Sequence, residues 1–235
     1  MVNLFNSYLY NPLLNFLIYL YHNFSFGDIG IAVILLTVLV RIVLFPVFYK
    51  GAKDQAIMQK IAPKLKEIQV KHKDDKEKQV KETMALYKDH KVNPFSQIFL
   101  LLIQLPIMIA IFKIFSVGIK TISNLNPYFL GFVDLTQKNL ILVLIAAALQ
   151  FYQTKLMLPK TDKNAKDLSP AEKMGKQMMY IGPVMTVLIF SSLPSVISLY
   201  WLTFSAFSVI QQIVINKRLN INQELKEEGK KMGIE

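Results

Sequence analysis

The chain has 235 residues, of which 53% are hydrophobic and 18% charged, with a mean hydropathy of +0.36 and a formal net charge of +11. A soluble domain carries about 25% charged residues, so this composition indicates a membrane protein. The sequence has no cysteine and only three scattered histidines, which excludes a disulfide framework, a thiolate metal site and a cysteine nucleophile and argues against a histidine metal cluster.

The first 28 residues contain neither Lys nor Arg. Within residues 4–24, apolar side chains recur at helical spacing, at Leu13, Leu14, Leu17, Ile18 and Tyr21. Tyrosines follow one another closely along the same segment, at Tyr8, Tyr10, Tyr19 and Tyr21. This pattern predicts an extracytosolic amphipathic helix over residues 1–28 that lies in the membrane interface and is anchored by its aromatic rings. A sixth membrane span over these residues is the alternative.

Residues 29–49 form the first predicted membrane span. At 1.5 Å per residue they are long enough to cross ~30 Å of hydrocarbon, and they contain a single charge, Arg41. Residues 50–92 differ in character, since they hold twelve Lys and seven acidic residues with sparse apolar positions at helical spacing. They predict a charged helical hairpin on the cytosolic side.

The rest of the chain alternates between apolar and polar segments. The second to fifth predicted spans cover residues 94–117, 140–158, 178–190 and 196–215. The polar segments are an extracytosolic loop at 118–139, a Lys-rich cytosolic loop at 159–176 and a cytosolic tail at 216–235. The sequence therefore predicts an all-α membrane protein with five transmembrane helices, an N-terminal interfacial helix and a cytosolic helical hairpin.

The distribution of basic residues predicts the orientation. The hairpin, the 159–176 loop and the tail hold 22 of the 27 basic residues. Basic residues are enriched in cytoplasmic loops, so we expect the N-terminus outside and the C-terminus in the cytosol. These lysines are expected to face lipid headgroups, and each is attracted to an anionic surface by about 1 kcal/mol. Binding of ribosomal RNA by the tail is an alternative, but sequence-specific recognition of nucleic acid is not expected.

Arg41 lies deep in the first predicted span. It is nine residues from Lys50, so ~13 Å from the cytosolic end of the helix. A charge at such depth costs roughly 2.5–3.5 kcal/mol, and no predicted span contains Asp, Glu or His to compensate it. A snorkelling arginine is the structural alternative, although the side chain would have to stretch far. We expect Arg41 to face a hydrated cavity within the bundle.

Polar residues in other parts of the predicted spans are candidates to line this cavity. They are Thr37, one turn before Arg41, Gln104 in the second span, Gln150 and Gln153 in the third, and Ser198, Trp201, Ser205, Ser208 and Gln212, which form one stripe, in the fifth. Interhelical packing is the other explanation for such residues. Motifs for metalloproteases, nucleotide binding and nucleophilic hydrolysis are absent from the sequence, so we expect no covalent catalysis, no cofactor and no metal.

Four ordered motifs resemble those of YidC-type membrane protein insertases. They are LLTVLVRIVLFP around Arg41, MQKIAPKLKEIQVKHKDD followed by MALYKDHKVNP in the hairpin, QLPIMIAIF at 104–112, and SLPSVISLYW followed by VIQQ in the last span. The resemblance extends from about residue 8 to residue 219.

The resemblance implies a protein of the bacterial inner membrane that accepts the hydrophilic tail of a nascent membrane protein in a groove. Arg41 would attract acidic residues of that tail, and Thr37, Tyr200 and Trp201 match family positions beside the substrate helix. Gln104 matches a position that lines the groove. Nascent membrane proteins and the lipid bilayer are the implied partners, with the ribosome and the Sec translocon in addition.

Three other functions stay open at this point. The polar groove would also suit an ion channel or small-solute transporter, although no span offers a titratable partner for Arg41. A membrane assembly scaffold would use the hairpin and tolerate loss of Arg41. An insertase for tail-anchored proteins is a closer relative of the implied function, and the substrates, Sec dependence and oligomeric state are not readable from the sequence.

Overall fold

The computed structural model describes residues 2–118, 125–158 and 170–231. The predicted Lys-rich loop at 159–176 therefore lies mostly outside the described residues. The helices are α1 (Val2–Phe5), α2 (Asn11–Asn23), α3 (Ile29–Val43), α4 (Phe45–Lys71), α5 (Lys76–Asp89), α6 (Ser96–Lys113), α7 (Leu140–Met157), α8 (Pro170–Phe190) and α9 (Ser195–Lys231). Two π-helical turns, Asn6–Tyr10 and Ile114–Gly118, join α1 to α2 and extend α6.

The N-terminal segment is helical from Val2 to Asn23 through α1, the first π-helical turn and α2. The predicted apolar stripe faces the protein, because Leu17 and Tyr21 are buried against α3 while Asn11 and Asn15 are exposed. Tyr21 is not an aromatic anchor at the surface: its hydroxyl accepts a hydrogen bond from the Asn126 backbone N–H at 3.1 Å. The interfacial location of this helix stays a prediction.

Asp28 fixes the beginning of α3. Its Oδ1 accepts hydrogen bonds from the N–H groups of Gly30 and Ile31, at 2.7 and 3.1 Å, which satisfies donors that a helix start leaves unpaired. Its Oδ2 accepts from the N–H of Leu130 at 2.6 Å. One carboxylate therefore caps the helix and ties it to the loop between α6 and α7.

Replacing Asp28 by alanine is expected to lower the free energy of unfolding by about 1 kcal/mol, the usual cost of losing an N-cap. Asp28→Asn keeps an oxygen acceptor for the cap and is the matched control, with a smaller expected loss. Thermal unfolding of both variants in the same detergent measures the difference. Equal stability of Asp28→Ala and the parent chain would contradict the capping role.

The first predicted span is bent rather than straight. The structure breaks the helix at Leu44, and α3 and α4 meet there at 68°. Pro46 stands in the first turn of α4, where its missing N–H is harmless, whereas in a continuous helix its ring would clash with the carbonyl of Ile42. The segment predicted as the first span thus consists of two helices that meet at Leu44, and its crossing of the membrane as one span stays a prediction.

The predicted hairpin consists of α4, which continues without interruption from the bend, and α5. Asp75 caps α5 by accepting a hydrogen bond from the Lys78 N–H at 2.9 Å. Across the turn, His72 Nε2 lies 2.9 Å from Glu82 Oε2. The base of the hairpin is fixed to α6, because the Ser96 hydroxyl donates to the buried Asp54 carboxylate at 2.5 Å. That the hairpin lies in the cytosol stays a prediction.

Among the described residues, three helical segments are long and apolar enough to cross a membrane, Ile98–Ser116, Leu140–Met157 and Ser195–Arg218. The bent pair α3–α4 makes a fourth if it counts as one span, and Met179–Phe190 is a shorter apolar helix. The all-α membrane fold is thus confirmed, whereas the count of five spans stays a prediction. The last helix also continues through most of the predicted tail, to Lys231.

A short antiparallel hairpin, β1 (Tyr128–Phe129) and β2 (Val133–Asp134), lies between α6 and α7 and was not predicted. Hydrogen bonds from Thr136 hold the pKa of the Asp134 carboxyl below its usual value. The loop also supports α9, since Gln137 O accepts from the Ser195 N–H at 2.8 Å. In the core, α9 packs mainly against α7 and α3, which brings Arg41 of α3 next to α9.

Candidate functional site

Arg41 is enclosed by the bundle, with 4% of its surface exposed. Its Nη2 donates hydrogen bonds to Ser208 Oγ at 3.0 Å and to Gln211 Oε1 at 3.1 Å, both on α9. Its Nε is buried and has no hydrogen-bond partner. The guanidinium is therefore held by neutral oxygens, and within the part of the chain that the structure describes its Nε–H finds no acceptor.

Three phenylalanine rings surround the same guanidinium. The Arg41 Cζ lies 4.4 Å from the ring centre of Phe48, 4.5 Å from that of Phe204 and 5.0 Å from that of Phe207. A desolvated cation over an aromatic face is stabilised by up to about 2 kcal/mol. The rings thus replace part of the solvation that Arg41 loses on burial.

The magnitudes explain why Arg41 is tolerated without a carboxylate. Its transfer to the bilayer centre costs roughly 2.5–3.5 kcal/mol on insertion scales. Two hydrogen bonds from a charged donor contribute about 3–6 kcal/mol together, to which the aromatic contacts add. The neutral surroundings are therefore sufficient to hold the charge, and no carboxylate of residues 2–118, 125–158 and 176–218 pairs with it.

A small cavity of about 10 Å³ lies directly beside Arg41, which is close to the minimum space for one water molecule. Three predicted residues line it, namely Thr37, Gln104 and Tyr200. Gln104 Nε2 donates to Tyr200 Oη at 2.7 Å, which joins α6 to α9. The surroundings of Arg41 are thus more closely packed than the hydrated cavity expected from the sequence, and an open groove stays a prediction.

The other predicted residues occupy different places. Ser205 and Ser208 are buried in α9, and of these two Ser208 contacts Arg41. Ser198 Oγ and Trp201 Nε1 are buried without a hydrogen-bond partner, and the Trp201 ring stacks on Phe204 at 5.4 Å. Gln150 accepts a hydrogen bond from Thr186 and belongs to the contact of α7 with α8, outside the lining of the Arg41 cavity.

Sequence reasoning missed the aromatic contacts and Gln211. A signal was present, because Tyr200, Phe204, Phe207 and Gln211 are spaced by four, three and four residues and so share one face of α9. The predicted polar stripe of the fifth span ends at Gln212. Its Nε2 donates to Asn216 Oδ1, and Asn216 in turn donates to the carbonyl of Leu156 in α7. The prediction considered only hydroxyl and amide side chains and left out the aromatic residues next to them on the helix.

The arrangement can bind an anion but offers no covalent chemistry. A buried guanidinium with a free donor suits a carboxylate, which accepts stronger hydrogen bonds than a hydroxyl or an amide. Within the part of the chain that the structure describes, no group of three or more His, Asp or Glu side chains is placed to hold a metal ion. The geometry therefore favours binding of an acidic group at Arg41.

Known proteins resemble the chain over most of its length. The model of the family described as 60Kd inner membrane protein matches residues 19–224. The membrane protein insertase YidC of Fusobacterium nucleatum is 34% identical over 223 residues, which are 90% of this chain and 98% of that protein. Those of Geobacter sulfurreducens and Syntrophus aciditrophicus are 30% and 35% identical over 89% and 88% of this chain. The chain spans only 37% and 36% of their lengths.

Proposed function

The chain belongs to the 60Kd inner membrane protein family, whose members include the YidC insertases, and from this premise we propose that it inserts nascent membrane proteins into the bilayer. It is an inner-membrane multi-pass protein, and its family is not one of enzymes. In the proposed mechanism, Arg41 receives an acidic group in the hydrophilic tail of the substrate.

The observation that carries the proposal is the uncompensated charge of Arg41. Its partners are the neutral Ser208 and Gln211, and its Nε is unpaired. A carboxylate 4 Å away would gain about 4 kcal/mol of attraction at an effective dielectric constant of 20. This attraction offsets part of the cost of moving the acidic tail away from water, so Arg41 lowers the barrier to its passage.

Release of the substrate then needs no nucleotide. The Gln104–Tyr200 hydrogen bond and the small cavity supply polar groups beside Arg41 along the path. For the tail to pass, α9 has to move relative to α3, so that the contacts of Arg41 with Ser208 and Gln211 open. The apolar span of the substrate moves sideways into lipid, driven by its own transfer free energy.

The charged regions supply the proposed contacts with partners. The lysines of α4 and α5 face the cytosol and the anionic headgroups when the N-terminus lies outside and the C-terminus inside. In this orientation the hairpin lies at the cytosolic entrance, and the C-terminal end of α9 lies where a ribosome would approach. The Sec translocon is the further proposed partner.

The test is protease protection in liposomes. A single-span substrate with an acidic N-terminal tail is synthesised in the presence of liposomes that contain the protein, and empty liposomes serve as the control. We expect the tail to become protected only where the protein is present. A substrate with Asn in place of each tail Asp should insert with much less dependence on the protein.

Other results of this experiment favour the rival functions. Equal protection in empty and protein-containing liposomes would contradict the insertase proposal. Ion flux through the purified protein without substrate would support a channel instead. If the tail is protected only when another membrane protein is added, the chain acts as an assembly scaffold.

A further inference from the structure

An apolar groove of about 480 Å³ lies between the N-terminal helix, α3 and α6. Its lining is hydrocarbon from all three elements: Leu9, Leu13, Phe16, Leu39, Val40, Val43, Leu44, Ile103, Pro106 and Ile107. The N-terminal helix forms one wall through its apolar side chains, and α3 and α6 form the others. The groove adjoins the cavity beside Arg41, and Val40, Leu44 and Ile107 contribute to both, but Arg41 itself lines only the smaller cavity.

A positive charge lies at one end of this groove. Lys113 follows Pro106 by two helical turns on the same face of α6, so it stands about 10 Å further along the helix. Its Nζ donates to Asn6 Oδ1 at 2.8 Å and lies 4.4 Å from the ring centre of Tyr10. Asn6 and Tyr10 flank Leu9, which lines the groove. An ammonium has three donors, so Lys113 can bind a further acceptor.

We propose that this groove is a binding site for one anionic phospholipid, with an acyl chain among the apolar side chains and the phosphate on Lys113. The lipid would connect the N-terminal helix to α3 and α6. In the predicted orientation Lys113 lies at the outer end of α6, so the lipid comes from the outer leaflet.

The dimensions favour an acyl chain over a helix of a substrate or a second copy. A helix with side chains is about 10 Å wide or more, so a volume of 480 Å³ corresponds to roughly four helical residues. A flexible hydrocarbon chain fills the same space without a fixed diameter. The charge of Lys113 beside an otherwise apolar lining also matches a molecule that is anionic at one end and apolar along the rest.

The test uses the full chain in phosphatidylcholine liposomes with a tracer of phosphatidylglycerol or phosphatidylcholine whose acyl chain carries a diazirine. After irradiation, labelled peptides are mapped by mass spectrometry. We expect phosphatidylglycerol to label residues 9–16 and 103–107 in preference to phosphatidylcholine. Lys113→Gln should lower this preference roughly fivefold, the effect of one basic residue near an anionic lipid.

Matched variants separate the two parts of the site. Lys113→Arg keeps the charge and should keep the preference, whereas Lys155→Gln removes an exposed charge at the end of α7 and should leave it unchanged. Leu39→Trp fills the groove and should lower labelling by both lipids.

Three results would overturn the lipid site. Labelling spread evenly over the exposed faces of α7 and α8 would indicate only the ordinary lipid shell. Equal labelling by the two lipids would remove the role of Lys113. Crosslinks from this groove to a second copy or to a substrate helix, without lipid labelling, would assign it to protein. Insertion of an acidic-tailed substrate by Lys113→Gln is measured in parallel. Loss of lipid labelling with insertion unchanged concerns this site alone, whereas loss of insertion concerns the proposed insertase function.

Discussion

Replacing Arg41 by methionine is expected to lower insertion of a substrate with an acidic tail at least tenfold. A hydrogen bond to a charged group contributes about 1.5–3 kcal/mol, which corresponds to roughly 10- to 150-fold in rate or occupancy. Methionine has a similar length to arginine and no charge, so it keeps much of the packing against Phe48 and Phe204. Protease protection of the substrate tail in liposomes measures the effect.

Three controls isolate the charge. Arg41→Lys keeps it and should retain most of the insertion, although a compact ammonium lies less well against the rings of Phe48 and Phe204 than the planar guanidinium does. Lys155→Met removes a distant positive charge and should have no effect. A substrate with a neutral tail should insert equally well with Arg41 and with methionine. If Arg41→Met lowers insertion of both substrates alike, Arg41 acts on the structure and not on the acidic group.

The stability of Arg41→Met has to be measured beside its activity. The change leaves Ser208 Oγ and Gln211 Oε1 without their donor, and a buried polar group that loses its partner costs about 1–3 kcal/mol. It also removes the desolvation cost of the charge, roughly 2.5–3.5 kcal/mol. For the two groups together the cost is about 2–6 kcal/mol, which the removed desolvation cost offsets in large part, so the variant is expected to fold. Unfolding temperatures within a few degrees of the parent would confirm that insertion is tested in a folded protein.

The importance of Arg41 could be predicted because it depends on one-dimensional information. Its depth follows from the distance to Lys50, and the missing carboxylate follows from composition alone. Thr37 and Gln104 could also be named from the pattern and Tyr200 from the family resemblance, and the structure brings all three to the cavity beside Arg41. Residues at a similar depth on the same helix or on neighbouring helices come together in most arrangements of the bundle.

The aromatic surroundings of Arg41 could not be predicted in the same way. Phe48 follows Arg41 by seven residues, and it reaches the guanidinium across the 68° bend at Leu44. Pro46 indicated a break, but the direction of the bend depends on how α4 packs against α6 and α9. The contacts of Gln150 could not be predicted for a related reason: its depth in the span suited the groove, but the rotation of α7, which brings its side chain to Thr186 of α8, cannot be read from the sequence.

The packing of the loop between α6 and α7 was also not foreseen from the sequence. Residues 118–139 were predicted as a loop, whereas Phe129 of β1 packs closely against Gly30 of α3. Turn-forming residues predict an irregular segment, but they do not show which helix it packs against. Gly30 and Phe129 are 99 positions apart in the sequence. Close packing at a glycine is visible only when both surfaces are known.

Gly30→Leu is therefore expected to lower the free energy of unfolding by about 3 kcal/mol, the upper part of the range for overpacking. A Cβ at Gly30 would lie 2.3 Å from Cδ2 and 2.8 Å from Cβ of Phe129. The ring has to leave its place, and Leu130, whose N–H binds Asp28, would be displaced with it. Thermal unfolding in one detergent measures the loss.

A matched set of variants tests the cause. Gly30→Ala introduces the same clash with a smaller group, and its helix propensity offsets about 1 kcal/mol, so its loss should be smaller. Gly182→Ala gains the same helix propensity, and its Cβ would meet only the end of the flexible Gln150 side chain, at 3.1 Å. This variant should not lower the free energy of unfolding. Phe129→Gly removes the ring and Cβ, so the loss from Gly30→Ala should shrink in that background. Additive losses in the double variant would show that Phe129 is not what excludes a side chain at Gly30.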